Sequence, residues 1–139
     1  MNDLTPAELL KRLPQERPCR FVADLLDVSP AHATTKYTWT VEDCDGHFPG
    51  NPIVPGVKLL EMASQTMACA RLASDAAAAV GFTETERVLF KMSVRPGETV
   101  VCRADTPDGG RTAAVELKFA GGPKDGEIIL SGRITGDQS

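Results

Sequence analysis

From Val57 to Val80 the sequence sets Leu59, Leu60, Met62, Ala63, Met67, Leu72 and the run Ala76 to Ala79 around most of a helical circumference. A helix that is apolar on nearly every side must be covered on nearly every side. Pro55-Gly56 ahead of it and Gly81 behind it act as start and stop signals, giving a rod of roughly 36 Å at ~1.5 Å per residue. Whatever else the chain builds has to wrap around that rod.

The flanking sequence supplies strands. Thr5-Pro6-Ala7-Glu8 has the form of a capping box opening a short helix to about Leu13. Phe21–Ser29 and Ala33–Val41 then read as an antiparallel pair, rich in β-branched and aromatic residues. Beyond the long helix come Arg87–Val94, Glu98–Thr106, Arg111–Ala120 and Glu127–Gly136, with turn signals at "PDGG" and "GGPKDG", which predicts a four-stranded meander. One buried helix with about six antiparallel strands has an economical solution, a curved sheet wrapped around the helix, and that α+β architecture is the hotdog fold. Nothing divides the 139 residues, so a single domain over 1–139 is expected.

Composition narrows the function class. A formal net charge of −4 argues against nucleic acid as the main partner. Four scattered cysteines with no C-x-x-C pair indicate reduced thiols rather than a zinc or redox motif. The start "MNDLTPAELLKRLP" has no basic run leading into an apolar block, and no apolar stretch approaches the ~20 residues of a membrane span, so a cytoplasmic location is expected.

The chemistry concentrates in "DCDGHFPGNPIVPGVKLLEMASQ", Asp43 to Gln65. Its glycines and prolines rule out regular structure up to Val54 and leave a shaped loop around His47, whose imidazole is the commonest general base near neutral pH. Glu61 is the anomaly of the apolar helix, with Gln65 one turn further on the same face. An apolar setting raises a carboxyl group's pKa and makes it a usable proton donor. A structural glutamate satisfied by Gln65 is the bland alternative. Gly56 and Val57 open the helix, where unsatisfied N–H groups and the positive dipole end suit a carbonyl oxygen gaining negative charge. A Cys44–His47 pair and a metal site from Asp43, Asp45 and His47 are weaker readings: the first lacks a nucleophile setting, and alternating acidic loop residues are usually solvated.

"GHFPGNPIVPGVKLLEMASQ" closely resembles the signature of the 3-hydroxyacyl-[acyl-carrier-protein] dehydratases, in which H-F-P-G, P-x-x-P-G-V and E-x-x-x-Q stand at this spacing. "LPQERPCRFVADLLDV" and "LFKMSVRPGETV" look like two further segments of that family. The resemblance implies a homodimer, often a trimer of dimers, with His47 of one chain facing Glu61 of the other. It implies that His47 removes the C2 proton of a 3-hydroxyacyl thioester, that Glu61 helps the C3 hydroxyl leave as water, that Gln65 orients Glu61, and that the Gly56 and Val57 N–H groups polarise the thioester carbonyl. No cofactor and no metal are implied; the partner is an acyl carrier protein, with Lys11, Arg12, Arg17, Arg20, Lys91 and Arg95 as candidates to meet it. Glutamate at 61 looks like the branch without double-bond isomerase activity.

The sequence departs from that pattern at Gln15-Glu16, at Leu25, at Lys58 where an apolar residue is common, and in "EDCDGHF" ahead of the histidine. The departures bear on pathway, so fatty acid, polyketide and aryl-polyene synthesis all remain open. A hotdog thioesterase and a non-catalytic acyl-binding or assembly subunit are the competing readings.

Overall fold

The computed structural model describes residues 5, 8, 11, 13, 20–44, 50, 52–74, 82–106 and 112–136. Six strands form one antiparallel sheet: β1 (Asp24–Ser29), β2 (His32–Thr38), β3 (Phe82–Phe90), β4 (Thr99–Asp105), β5 (Thr112–Phe119) and β6 (Ile128–Gly136), in the order β1-β2-β4-β5-β6-β3. The long helix runs from Gly56 to Ser74 and lies across β4 and β2, reaching β1, β5 and β6. This is the hotdog arrangement that the sequence predicts.

The helix is buried along most of its length, every residue from Met62 to Ala73 being inside, with apolar side chains in the majority. The strands answer with period-two burial. On β5, Ala113, Val115, Leu117 and Phe119 alternate with more exposed neighbours, and on β4 Val100, Cys102 and Ala104 do the same. Each large apolar side chain so enclosed contributes about 1.5–3 kcal/mol relative to exposure. Two hydroxyls buried in this interface are paired, Thr35 Oγ1 with Thr66 Oγ1 at 2.7 Å, and Thr66 also donates to the Met62 carbonyl at 2.8 Å.

The structure corrects the expected meander. β4, β5 and β6 are consecutive neighbours, but β3 sits beyond β6 at the far edge and β4 pairs with β2. The hairpin into β6 carries the expected turn chemistry, with positive φ at Gly121, Gly122 and Gly126. By contrast, the β3–β4 connection holds no tight hairpin signal and crosses the sheet. β3 also begins earlier than expected, at Phe82, and carries a bulge: Arg87 adopts φ 55°, and Arg87 and Val88 together face Gly132 on β6. Gly132 is required there, since a Cβ would stand 2.9 Å from the Val88 Cα.

At the N-terminus the capping box is present: the Glu8 N–H donates to Thr5 Oγ1 at 3.2 Å and the Thr5 N–H to Glu8 Oε1 at 3.4 Å. β1 starts at Asp24 rather than Phe21. The expected helix end near Gly81 and the turn at "PDGG" lie outside the described residues. Among the described residues, no helix is long and apolar enough to cross a membrane.

Candidate active site

The segment ahead of the long helix is tied down before the helix starts. The Val54 N–H donates to the Val94 carbonyl at 2.8 Å, and the Pro55 carbonyl accepts from the N–H groups of Lys58 at 3.0 Å and Leu59 at 3.4 Å. Gly56 and Val57 therefore precede the first intrahelical donor, the Lys58 N–H, and their own N–H groups have no partner inside the helix. Val57 is 69% exposed. The missing side chain at Gly56 matters: a Cβ there would lie 3.0 Å from Phe90 Cε1. A cleft of about 360 Å³ opens at this point, lined by Ile53, Val54, Gly56, Leu59, Phe90 and Met92 among others.

Glu61 is half-buried in the second turn, roughly 7.5 Å along the axis from Gly56. Gln65 is fully buried and holds two groups at once. Its carbonyl accepts the Phe21 backbone N–H at 2.7 Å, and its amide donates to Glu61 Oε1 at 3.2 Å. The Phe21 N–H can only donate, so it fixes which way the amide points. Oε1 of Glu61 is thereby an acceptor.

The floor beside this acid is aromatic. Phe21 stacks on Trp39 with centroids 5.1 Å apart, and Tyr37 meets Trp39 edge-on at 4.8 Å. Asp43 lies in a 3-10 turn, Glu42–Cys44, and is only 5% exposed. Its Oδ2 accepts from Tyr37 Oη at 2.8 Å, the Thr40 N–H at 2.9 Å and Thr40 Oγ1 at 3.0 Å. The expectation that Asp43 is solvated is therefore wrong. Its carboxylate is spent on closing the turn, because the chain reverses there and the Thr40 donors need a buried acceptor.

Lys58, noted in the sequence only as a departure, reaches from the helix to the Asp43 carbonyl at 2.7 Å, with its ammonium 5.9 Å from the Phe21 ring centre. Its signal in the sequence was a cation in the first turn of a buried helix, where the dipole disfavours one. Gly56, Val57, Glu61 and Gln65 thus share one end of one helix. His47 lies outside the described residues, as do Arg12 and Arg17 of the basic set. Lys91 and Arg95 are exposed beyond the end of β3, Lys91 in the wall of the cleft, whereas Arg20 turns inward to the Leu13 carbonyl at 3.0 Å.

Residues 30–133 match the family described as ApeI-like, ApeI dehydratase. The 3-hydroxyacyl-[acyl-carrier-protein] dehydratase FabZ of Polynucleobacter necessarius is 33% identical over 134 residues, covering 92% of this chain and 88% of that protein. FabZ of Oenococcus oeni is 35% identical over 102 residues, 70% of this chain and 73% of that protein. Among solved structures, the dehydratase heterocomplex ApeI:P from Xenorhabdus doucetiae superposes with a TM-score of 0.59 at 18% identity, covering 78% of this chain and 89% of that one. Zebrafish thioesterase superfamily member 2 superposes with a TM-score of 0.69 at 14% identity over 96% and 98% of the two chains. At such identities the superpositions speak for the fold alone.

Proposed function

The chain belongs to the 3-hydroxyacyl-[acyl-carrier-protein] dehydratases and matches the ApeI-like dehydratases within most of its length, and from that premise we propose how its residues carry the reaction. The enzyme removes water from a 3-hydroxyacyl thioester to give a trans-2-enoyl thioester. His47 takes the C2 proton. The electron pair left behind moves onto the thioester oxygen, which the Gly56 and Val57 N–H groups hold at the helix start. As the C2–C3 double bond forms, the C3–O bond breaks, and Glu61 gives its carboxyl proton to the departing hydroxyl, which leaves as water. Gln65 keeps Glu61 in register for that transfer. No cofactor enters these steps.

The single observation that carries the reading is the pairing of Glu61 with Gln65 one turn below two N–H groups that lie ahead of the first intrahelical donor. A thioesterase would need an activated water aimed at the carbonyl, and an acyl-binding subunit would need no oriented acid.

The substrate is carried by an acyl carrier protein, met through Lys91 and Arg95 with the N-terminal basic residues, in the cytoplasm and in fatty acid, polyketide or aryl-polyene synthesis. The working unit is a homodimer in which His47 faces the other chain's Glu61, and three such dimers can associate. Support for a dimer comes from β3, which ends the sheet with Leu89 58% and Phe90 52% exposed beside Val57. An unpaired strand at a sheet edge, apolar and exposed at its end, invites a second strand.

The test is mass spectrometry of intact carrier proteins loaded with 3-hydroxyacyl chains of graded length. Loss of one water from the thioester by the wild type, abolished in His47→Ala and in Glu61→Gln, is the expected result. An intact panel with a folded protein would sink the proposal, thiol release would turn it to the thioesterase, and silence with tight acyl binding to the assembly subunit.

A further inference from the structure

A lysine in the first turn of a helix faces the positive end of the helix dipole and is electrostatically misplaced, so its presence calls for a cause. The helix carries no acidic residue in that turn to offset it. What Lys58 finds instead is a backbone carbonyl, that of Asp43, at 2.7 Å. Asp43 is itself anchored: its carboxylate is held by Tyr37 and Thr40, and the Asp43 N–H donates to the Thr40 carbonyl at 3.1 Å. The ammonium is therefore bolted to a rigid turn.

Position along the chain gives this contact its meaning. Lys58 lies two residues after Gly56 and three before Glu61, so it shares a helix side with the acid. Asp43 lies four residues before His47, and four residues of chain reach at most about 14 Å. One charged hydrogen bond thus joins the helix that bears Glu61, Gly56 and Val57 to the turn that stands just before His47 in the sequence.

We propose that Lys58 is a positioning residue for the dehydration, acting through the Asp43 carbonyl to hold the turn that precedes the base against the helix start. The proposal rests on the assignment of His47 and Glu61 as the reacting pair. Misplacement of reacting groups by about 1 Å can cost on the order of 100-fold in rate.

The experiment compares Lys58→Met and Lys58→Arg with the wild type. Lys58→Met is expected to lower kcat by roughly 10- to 100-fold with KM changed less than about threefold, and to keep its circular dichroism and oligomeric state. Lys58→Arg, which still donates to a carbonyl, is expected to recover most of the loss. A second readout needs no turnover. The chain has two histidines, and His32 sits in the β1–β2 hairpin bonded to Asp27 and Ser29. In Lys58→Met the His47 ring resonances should move and those of His32 stay. A Lys58→Met enzyme with wild-type kcat and unmoved ring resonances overturns the proposal, as does a loss that appears only in KM or that falls in step with melting temperature. If His47→Ala keeps full activity, the dehydratase assignment fails instead, whatever Lys58 does.

Discussion

Gln65 and Glu61 stand one helical turn apart, and the amide that donates to Glu61 Oε1 at 3.2 Å is oriented by the Phe21 N–H on its other end at 2.7 Å. Replacing Gln65 by Leu removes both bonds. The Phe21 N–H is then buried without an acceptor, which costs about 1–3 kcal/mol by denaturant titration. Turnover should fall by about tenfold or more as Glu61 loses its orientation.

Asp43 separates charge from acceptor geometry. All three side-chain and backbone donors converge on one oxygen, Oδ2, which an asparagine carbonyl can replace. Asp43→Asn should therefore cost under about 1 kcal/mol, and Asp43→Ala at least about twice that, because it strands the buried Tyr37 hydroxyl.

Gly56 and Gly132 should respond differently to alanine. The Cβ at 56 meets Phe90 ring carbons, and that half-exposed ring can turn aside, so stability changes little while the cleft narrows and KM rises. At 132 the Cβ meets backbone, and the loss should reach about 1–3 kcal/mol. Equal melting temperatures for the two variants would refute this.

The buried thiols set an alkaline limit. Burial pushes Cys69 and Cys102 from 9.0 up to about 12. Below pH 9 folded and unfolded chains both hold these protons, and stability is indifferent to them. Between pH 9 and 12 only the unfolded chain releases them, so stability should fall by up to about 1.4 kcal/mol per pH unit for each thiol. Neither should react with iodoacetamide at pH 8 until the protein unfolds, as peptide mass mapping would reveal.

Mixing two dead variants tests the shared site. If His47 and the opposite chain's Glu61 form one centre, subunits exchanged between His47→Ala and Glu61→Gln should regain about a quarter of the wild-type sites, the share expected for random two-fold pairing. No recovery after verified exchange would confine each site to one chain.

Much of this was readable from the chain alone, and the boundary is physical. The helix, the capping box and the turn at Gly121 to Gly126 are local, and local chemistry specified them. The edge position of β3 was not readable, because it depends on which strand β6 accepts across the sheet. Gln65 was seen beside Glu61 one turn away, but its bond to Phe21, 44 residues distant, came only with the fold. Asp43 looked like a solvated loop acid, since nothing in the sequence says that Tyr37 and Thr40 will close over it. Lys58 stood out as an oddity and acquired a partner only when the turn was brought beside the helix.

Trp39, the chain's one tryptophan, is 1% exposed and stacked on the residue whose N–H steers Gln65. The indole therefore stands one residue away from the amide that holds the acid, and its ultraviolet emission should register acyl-chain arrival or reorientation of Gln65 without any label. Stopped-flow traces on the native protein can thus time events at the site separately from the appearance of product.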